Sequence, residues 1–162
     1  MGCEIERKFL IDLNKWQKPE KGILIMQGYL IRTEKISLRL RMADDKAFLT
    51  IKGASKGIAR SEFEYEIPPA DLDAMFSEFG SGKFIRKTRY LEKVGSHTWE
   101  IDIFEGDNAG LAVAEIELSN ADEEFEMPDW VLQEVSDDKR YRNAYLVENP
   151  WNTWQELMEE KR

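Results

Sequence analysis

The sequence predicts an α+β fold: an eight-stranded antiparallel β-barrel, a tunnel with a charged lumen, with helices packed outside. Three observations carry this. Eight segments alternate with a period of two, which is the strand signal. One face of these segments is nearly all Lys, Arg, Asp and Glu, where an ordinary half-buried sheet mixes them with Ser and Thr. The other face is apolar from strand to strand and has to be covered.

The first strand is Cys3–Ile11, with Glu4, Glu6, Lys8 and Leu10 on one face and Cys3, Ile5, Arg7, Phe9 and Ile11 on the other. Ile23–Arg32 follows, carrying Gln27 and Tyr29 together. Ile36–Met42 sets Ser37, Arg39 and Arg41 against Ile36, Leu38, Leu40 and Met42. After the turn-like Ala43-Asp44-Asp45-Lys46, Ala47–Lys52 sets Phe48, Thr50 and Lys52 against Ala47, Leu49 and Ile51. Arg60–Ile67 carries Arg60, Glu62, Glu64 and Glu66 on one side. Pro69, Asp71 and Gly80 punctuate a helix whose stripe is Leu72, Met75, Phe76 and Phe79. Strands resume at Ile85–Lys93 (Lys87, Arg89), Thr98–Phe104 (Glu100, Asp102) and Leu111–Leu118 (Val113, Glu115, Glu117). Beyond these, Ala121–Met127 reads as a short helix and Val131–Val135 as a last short strand. Asp137 or Asp138 caps a helix over Lys139–Val147, and Trp154, Leu157 and Met158 fall at helical spacing.

The 162 residues suffice for one domain with a proper core. With 23 Lys+Arg against 32 Asp+Glu the net charge is −9, which argues against a nucleic-acid binder working through net charge. A single cysteine, Cys3, excludes an internal disulfide and a Cys-based zinc site, and its face marks it as a small core residue. Acidic residues stand where a secretory signal needs an apolar stretch, and no run approaches a membrane span. The expectation is a soluble, cytoplasmic protein with no membrane partner; a homodimer stays open.

The charges that share a face are the cations Lys8, Arg39, Arg41, Lys52, Arg60, Lys87 and Arg89, and the carboxylates Glu4, Glu6, Glu62, Glu64, Glu100, Asp102, Glu115 and Glu117. Spaced i, i+2, each group points to one side of its strand. Closure into a barrel turns that side into a lumen with room for one small ligand. Clustered cations suit a polyanion, while carboxylates suit a hard divalent ion such as Mg²⁺ or Mn²⁺. Phosphate with its metal wants both signs at once. The plainer alternative is a solvated face of ion pairs worth about 0–1 kcal/mol each; seven strands of nothing else favour the lumen.

Glu4-Ile5-Glu6-Arg7-Lys8 resembles the Glu-x-Glu-x-Lys signature of the CYTH superfamily, the triphosphate tunnel metalloenzymes. The resemblance takes in Gln27-Gly28-Tyr29-Leu30, Ser37-Leu38-Arg39-Leu40-Arg41, Leu49-Thr50-Ile51-Lys52 and Arg60-Ser61-Glu62-Phe63-Glu64. It continues through Lys87-Thr88-Arg89-Tyr90, Trp99-Glu100-Ile101-Asp102, Ala114-Glu115-Ile116-Glu117-Leu118 and the run from Glu134 to Tyr141, spanning roughly residues 1–147 in order. It implies one domain over 1–162, with 148–162 a C-terminal extension.

The resemblance also implies metal-dependent hydrolysis of a small-molecule triphosphate, inorganic tripolyphosphate first and nucleoside triphosphate second. Glu4, Glu6, Glu115 and Glu117 would hold Mg²⁺ or Mn²⁺, and Arg39, Arg41, Lys52, Lys87 and Arg89 the phosphate oxygens. Lys8 would stand beside the reacting phosphorus with Tyr29 near it. Arg60, Glu62, Glu64, Glu100 and Asp102 would form a second tier. A lysine crowded by other cations has a lowered pKa and can accept a proton, which makes Lys8 a candidate base, with a purely electrostatic role as the alternative. Thiamine triphosphatase, a class IV-like adenylate cyclase and a non-catalytic polyphosphate-binding module are the rivals. The cyclase is disfavoured because Met1-Gly2-Cys3, and not a His-Phe element, stand before Glu4. Gly80-Ser81-Gly82-Lys83 lacks the first glycine of a P-loop and reads as a turn. His97, beside Ser96, reads as a surface residue.

Overall fold

A computed structural model describes residues 2–160, with side chains through Met158. Nine strands form: β1 (Cys3–Ile11), β2 (Ile23–Arg32), β3 (Ile36–Ala43), β4 (Lys46–Gly53), β5 (Ala59–Ile67), β6 (Ile85–Val94), β7 (His97–Phe104), β8 (Ala112–Glu117) and a short β9 (Val131–Glu134). They run β5-β4-β3-β2-β6-β7-β8-β1-β9, and a further β1–β5 pairing closes the first eight into an antiparallel barrel.

β1 is the seam of this closure. One edge pairs with β8 from Glu6 to Leu10. The other edge is divided: Cys3–Ile5 pair with β5, while Phe9 and Ile11 pair with β9. Between them, the Lys8 backbone is satisfied by the hydroxyl of Ser136 and the amide of Val135, so no buried polar group is left over where the partner changes. The turn between β3 and β4 places Asp44 at φ 52°, in the left-handed region that Asp tolerates, and its carboxylate accepts from the Leu24 amide at the start of β2 at 3.0 Å.

Three apolar clusters cover the outside and one end. Helix α1 (Pro69–Phe79) lays Leu72, Met75 and Phe76 on Leu40, Ala47 and Leu49. It approaches β2 closely enough that a Cβ on Gly28 would lie 2.6 Å from the Phe76 ring, so glycine is required there. A second cluster surrounds Trp99, which is fully buried and meets Phe9, Phe125 and Trp130 edge-on at 5.6, 5.8 and 5.4 Å. The third joins Leu10, Ile85 and Val113, which continue the lumen faces of β1, β6 and β8, to Tyr141, Leu146, Trp151 and Trp154. The C-terminal segment therefore stoppers that end of the barrel. It is built from a short 3₁₀ turn at Lys139–Tyr141, helix α2 (Asn143–Leu146), a second 3₁₀ turn at Trp151–Thr153 and helix α3 (Gln155–Glu160).

The structure departs from the sequence reading at five places. Ala121–Met127 is not helical: the Glu123 carboxylate turns back to accept from the Ser119 amide at 2.7 Å and to pair with His97, while Phe125 is drawn onto Trp99. His97 is accordingly half-buried under this strap, not a free surface residue. The helix over Lys139–Val147 breaks at Arg142, whose backbone is extended at φ −76° and ψ 141°. Asp138 caps only the 3₁₀ turn, and the Tyr141 carbonyl is claimed by the Lys8 ammonium at 3.1 Å in place of a helical amide. Cys3, at the start of β1, is exposed and not a core residue. Phe79, last in the helical stripe, also stays exposed at the end of α1.

Trp99→Ala should cost about 3–5 kcal/mol of unfolding free energy, the usual penalty for deleting a buried indole. Urea denaturation followed by circular dichroism measures it, and a loss under about 1 kcal/mol would show that the cluster collapses around the gap.

Candidate active site

Alternation on β1, and on six of the strands that close with it, carries all the lumen charges to one place. A cavity of about 690 Å³ is lined by Glu4, Glu6, Lys8, Arg39, Arg41, Lys52, Arg60, Glu62, Glu64, Lys87, Arg89, Glu100, Glu115 and Glu117, with Tyr29 among them. Asp102 lies beneath this lining, fully buried. A cleft of about 790 Å³ outside the barrel, between the 133–141 segment and Met158, is larger but holds none of these groups except Leu10 from their strand faces. The chemistry is in the lumen.

The walls are segregated by sign. β3, β4 and β6 contribute only cations, β7 and β8 only carboxylates, and β1 and β5 both. The pairs that result are specific. Asp102 accepts from Arg89 through both carboxylate oxygens, at 2.8 and 3.0 Å, and from Lys87 at 2.8 Å. Arg89 also reaches Glu100 at 2.7 Å. Lys52 bonds Glu4 at 2.7 Å, and Lys8 stands 3.3 Å from Glu115. The buried hydroxyl of Thr50 accepts from Arg39 at 3.2 Å and donates to Glu64 at 2.8 Å. Arg41 is held by the Gln27 side-chain carbonyl at 3.0 Å.

Among the described residues, several lumen groups are left uncompensated. The Arg39 Nε and the Gln27 amide nitrogen are buried without partners. The Glu6 side chain makes no hydrogen bond or salt bridge among the described residues. Burial, then Glu115 and Glu4 beside it, pushes the Glu6 carboxyl up to about 8. Burial and the neighbouring Glu62 likewise raise Glu4. A half-buried carboxylate repelled by two others lacks a cation, and oxygen donors of this kind fit a hard divalent ion. Among the described residues no three His, Cys, Asp or Glu side chains form a ready-made cage. Glu4 and Glu115 are instead held by lysines, so they would have to share or release them to bind a metal ion.

The environment of Lys8 differs from the crowd of cations expected for it. Burial alone pulls its pKa down, but Glu115, Glu6 and Asp102 outweigh that and raise it above the ordinary value. Lys8 is thus a held cation, not a poised base. The lysine that is lowered is Lys87, pushed down to about 7 by burial and by Arg89 and Arg41, against the pull of Asp102. Tyr29 lines the same cavity, but β2 lies diametrically across the barrel from β1, so it faces Lys8 from the opposite wall.

The sequence reading missed the C-terminal contribution. Ser136, Asp138, Lys139, Arg142 and Asn143 also line the cavity. The Tyr141 carbonyl accepts from Lys8 and the Asn143 side-chain carbonyl accepts from Lys87 at 2.9 Å, while Arg32 donates to the Ala144 carbonyl at 2.8 Å. This segment therefore crosses the lumen from β1 past β6 to β2. No period-two signal marks it, because it is not a strand.

Residues 2–144 match the family model described as the CYTH domain. The chain belongs to the CYTH family. An inorganic triphosphatase of Acetivibrio thermocellus is 42% identical over 156 residues, covering 96% of this chain and all of that one. An inorganic triphosphatase of Nitrosomonas europaea is 34% identical over 148 residues, covering 89% and 96%. The crystal structure of the inorganic triphosphatase NE1496 superposes with a TM-score of 0.62 at 32% identity, over 88% of this chain and 96% of that one. No described helix of this CYTH chain is long and apolar enough to cross a membrane.

The pKa of Glu6 fixes the sign of a pH effect. Between about 4.5 and 8 the folded chain holds a proton that the unfolded chain releases, so this group's contribution to stability falls as pH rises through that window and levels off above it. In chelator at pH 8, Glu6→Gln should be at least about 1 kcal/mol more stable than wild type, less than one pKa unit's worth. Thermal or urea unfolding at pH 5 and pH 8 tests this; a variant of equal stability at both would mean that Glu6 is not electrostatically frustrated.

Proposed function

We propose that the protein is a metal-dependent triphosphatase that hydrolyses inorganic tripolyphosphate first and nucleoside triphosphate second, working in the cytoplasm. The observation that carries this reading is the cavity of about 690 Å³, lined by cations from five strands together with a carboxylate, Glu6, that makes no hydrogen bond or salt bridge among the described residues. A triphosphate brings the anion those cations suit, and its divalent ion the charge Glu6 lacks. The 42% identity to an inorganic triphosphatase over nearly the whole chain supports the same substrate class.

In this reading Arg39, Arg41, Lys52, Lys87 and Arg89 hold phosphate oxygens through charge-assisted hydrogen bonds. Asp102 sets the direction of Lys87 and Arg89, and with Arg60, Glu62, Glu64 and Glu100 forms a second tier around the phosphate clamps. Glu4, Glu6, Glu115 and Glu117 would hold Mg²⁺ or Mn²⁺, which when bound would supply charge neutralisation and a water of lowered pKa. To serve as such a ligand Glu6 would release the proton it carries. Lys8, kept protonated by Glu115 and Asp102, neutralises charge on the phosphoryl group in transit. Tyr29 offers its hydroxyl to the substrate from the opposite wall.

Incubation with tripolyphosphate, ATP or thiamine triphosphate, with orthophosphate and cyclic AMP as readouts, tests the function and separates it from the cyclase, the thiamine triphosphatase and the non-catalytic module. Orthophosphate from tripolyphosphate should need Mg²⁺ or Mn²⁺, and Glu6→Gln should abolish it while the fold persists by circular dichroism. Full activity in chelator, or in that variant, would sink the metal assignment. Lys8→Ala should lower kcat about 10²–10³-fold with a smaller change in KM, as for removal of a donor that acts in the transition state. Lys8→Arg keeps the charge and should restore part of the rate; a Lys8→Ala enzyme with wild-type kcat would make Lys8 a binding residue only.

A further inference from the structure

Among the cations of the lumen without an assigned use, Arg142 stands out by its place in the fold. Arg142 sits at the break between the 3₁₀ turn and α2, and its extended backbone interrupts the helix there. Its half-buried side chain lines the cavity but makes no hydrogen bond or salt bridge among the described residues. The charged groups that act on it are Arg60, Asp137 and Glu6, and Arg60 acts more strongly than either acid. Arg60 has no acidic partner within salt-bridge distance among the described residues; its guanidinium is clipped to the Gly53 carbonyl at 3.1 and 2.8 Å. Two guanidiniums thus line one cavity, one carried by β5 and one by the C-terminal segment, and neither makes a salt bridge among the described residues. Two like charges lining one cavity repel each other unless an anion joins them.

Their position says which part of an anion. Arg60 opens the strand that follows the 54–58 loop, and Ala54, Ser55, Gly57 and Ile58 line the cavity there, so this is its mouth. At the other extreme Lys87 rests on fully buried Asp102, and the cluster that includes Leu10, Ile85 and Val113 stoppers the barrel beyond it, so an ester group finds its space at the mouth. A chain esterified at one end must therefore put that end at the mouth. A free terminal phosphoryl group there offers three oxygens and up to two charges; an esterified one offers two oxygens and a single charge. Paired planar guanidiniums distinguish these, because each can fork onto two oxygens.

We propose that Arg142 and Arg60 form a subsite for the terminal phosphoryl group at the mouth of the lumen, so that the C-terminal segment selects a free-ended triphosphate over an esterified one. The proposal rests on the triphosphatase reading and adds to it the residues that set the preference. Steady-state kinetics with tripolyphosphate and with ATP, on wild type, Arg142→Ala and Arg142→Lys, test it, together with thermal unfolding. For Arg142→Ala, kcat/KM for tripolyphosphate should fall about ten-fold or more, mainly through KM, the loss of about one charge-assisted contact. The fall for ATP should be under about three-fold, so the preference narrows. Arg142→Lys should recover part of the difference. The melting midpoint of Arg142→Ala should equal or exceed that of wild type, since the guanidinium has no partner to lose. A tripolyphosphate KM within two-fold of wild type, an equal fall for both substrates, or a lowered midpoint that accompanies the lost affinity would each overturn the subsite. A wild-type protein that turns over neither substrate would sink the triphosphatase reading itself; calorimetric titration of tripolyphosphate into wild type and Arg142→Ala would still read the subsite alone.

Discussion

The structure depends on one strand being hydrogen-bonded along both edges to three others. β1 meets β8 on one side and β5, then β9, on the other, and this closes the sheet. Once closed, the pleat leaves Glu4, Glu6 and Lys8 no direction but inward, because a slip of one residue would bring Ile5 and Phe9 into the lumen. The same constraint runs round the ring, so the barrel interior collects charge while its hydrophobic surface lies outside. Ordinary cores are arranged the other way. Here the apolar clusters under α1, around Trp99 and at the stoppered end supply the stability that the lumen does not.

Charges taken out of water cost several kcal/mol each unless matched, and most of the lumen is matched internally. Asp102 is the central node, bound by Arg89 and Lys87 and itself inaccessible. Its role is to hold two cations in fixed directions, which lowers the reorganisation needed when an anion arrives. What the wall does not match is at the other side: Glu6 among carboxylates, and Arg142 near Arg60. The frustration has opposite signs at neighbouring positions. A chelated polyanion relieves both, a cation at the acids and phosphate oxygens at the guanidiniums.

The segment after β9 completes the lumen more than it covers it. It gives a backbone carbonyl to Lys8 and a side-chain carbonyl to Lys87, and its helix is broken at Arg142 by the first of these contacts. Trp151 and Trp154 then anchor it to the barrel end through the cluster that includes Leu10. The state of Lys8 follows from this assembly. Glu115 and Asp102 come from two different strands, and together they keep protonated a lysine that burial alone would discharge.

The eight barrel strands and the inward set of charges were legible in the sequence, because period-two alternation is a local property that survives any tertiary arrangement. The ninth strand and α1 were legible too, the latter from Pro69 and Gly80. Three things were not. The 119–127 strap depends on His97 and Trp99, far away in sequence, which outcompete a helix there. The break at Arg142 depends on Lys8, more than a hundred residues distant. The separation of Tyr29 from Lys8 depends on strand order, which places β2 across from β1 although the two are consecutive in the chain. By itself the sequence determined which residues face inward and what charge they bring. Only the tertiary structure decided which of those charges neutralise one another and which are left for a ligand, because electrostatic energy follows distance and burial, and neither is a property of the chain until the barrel closes.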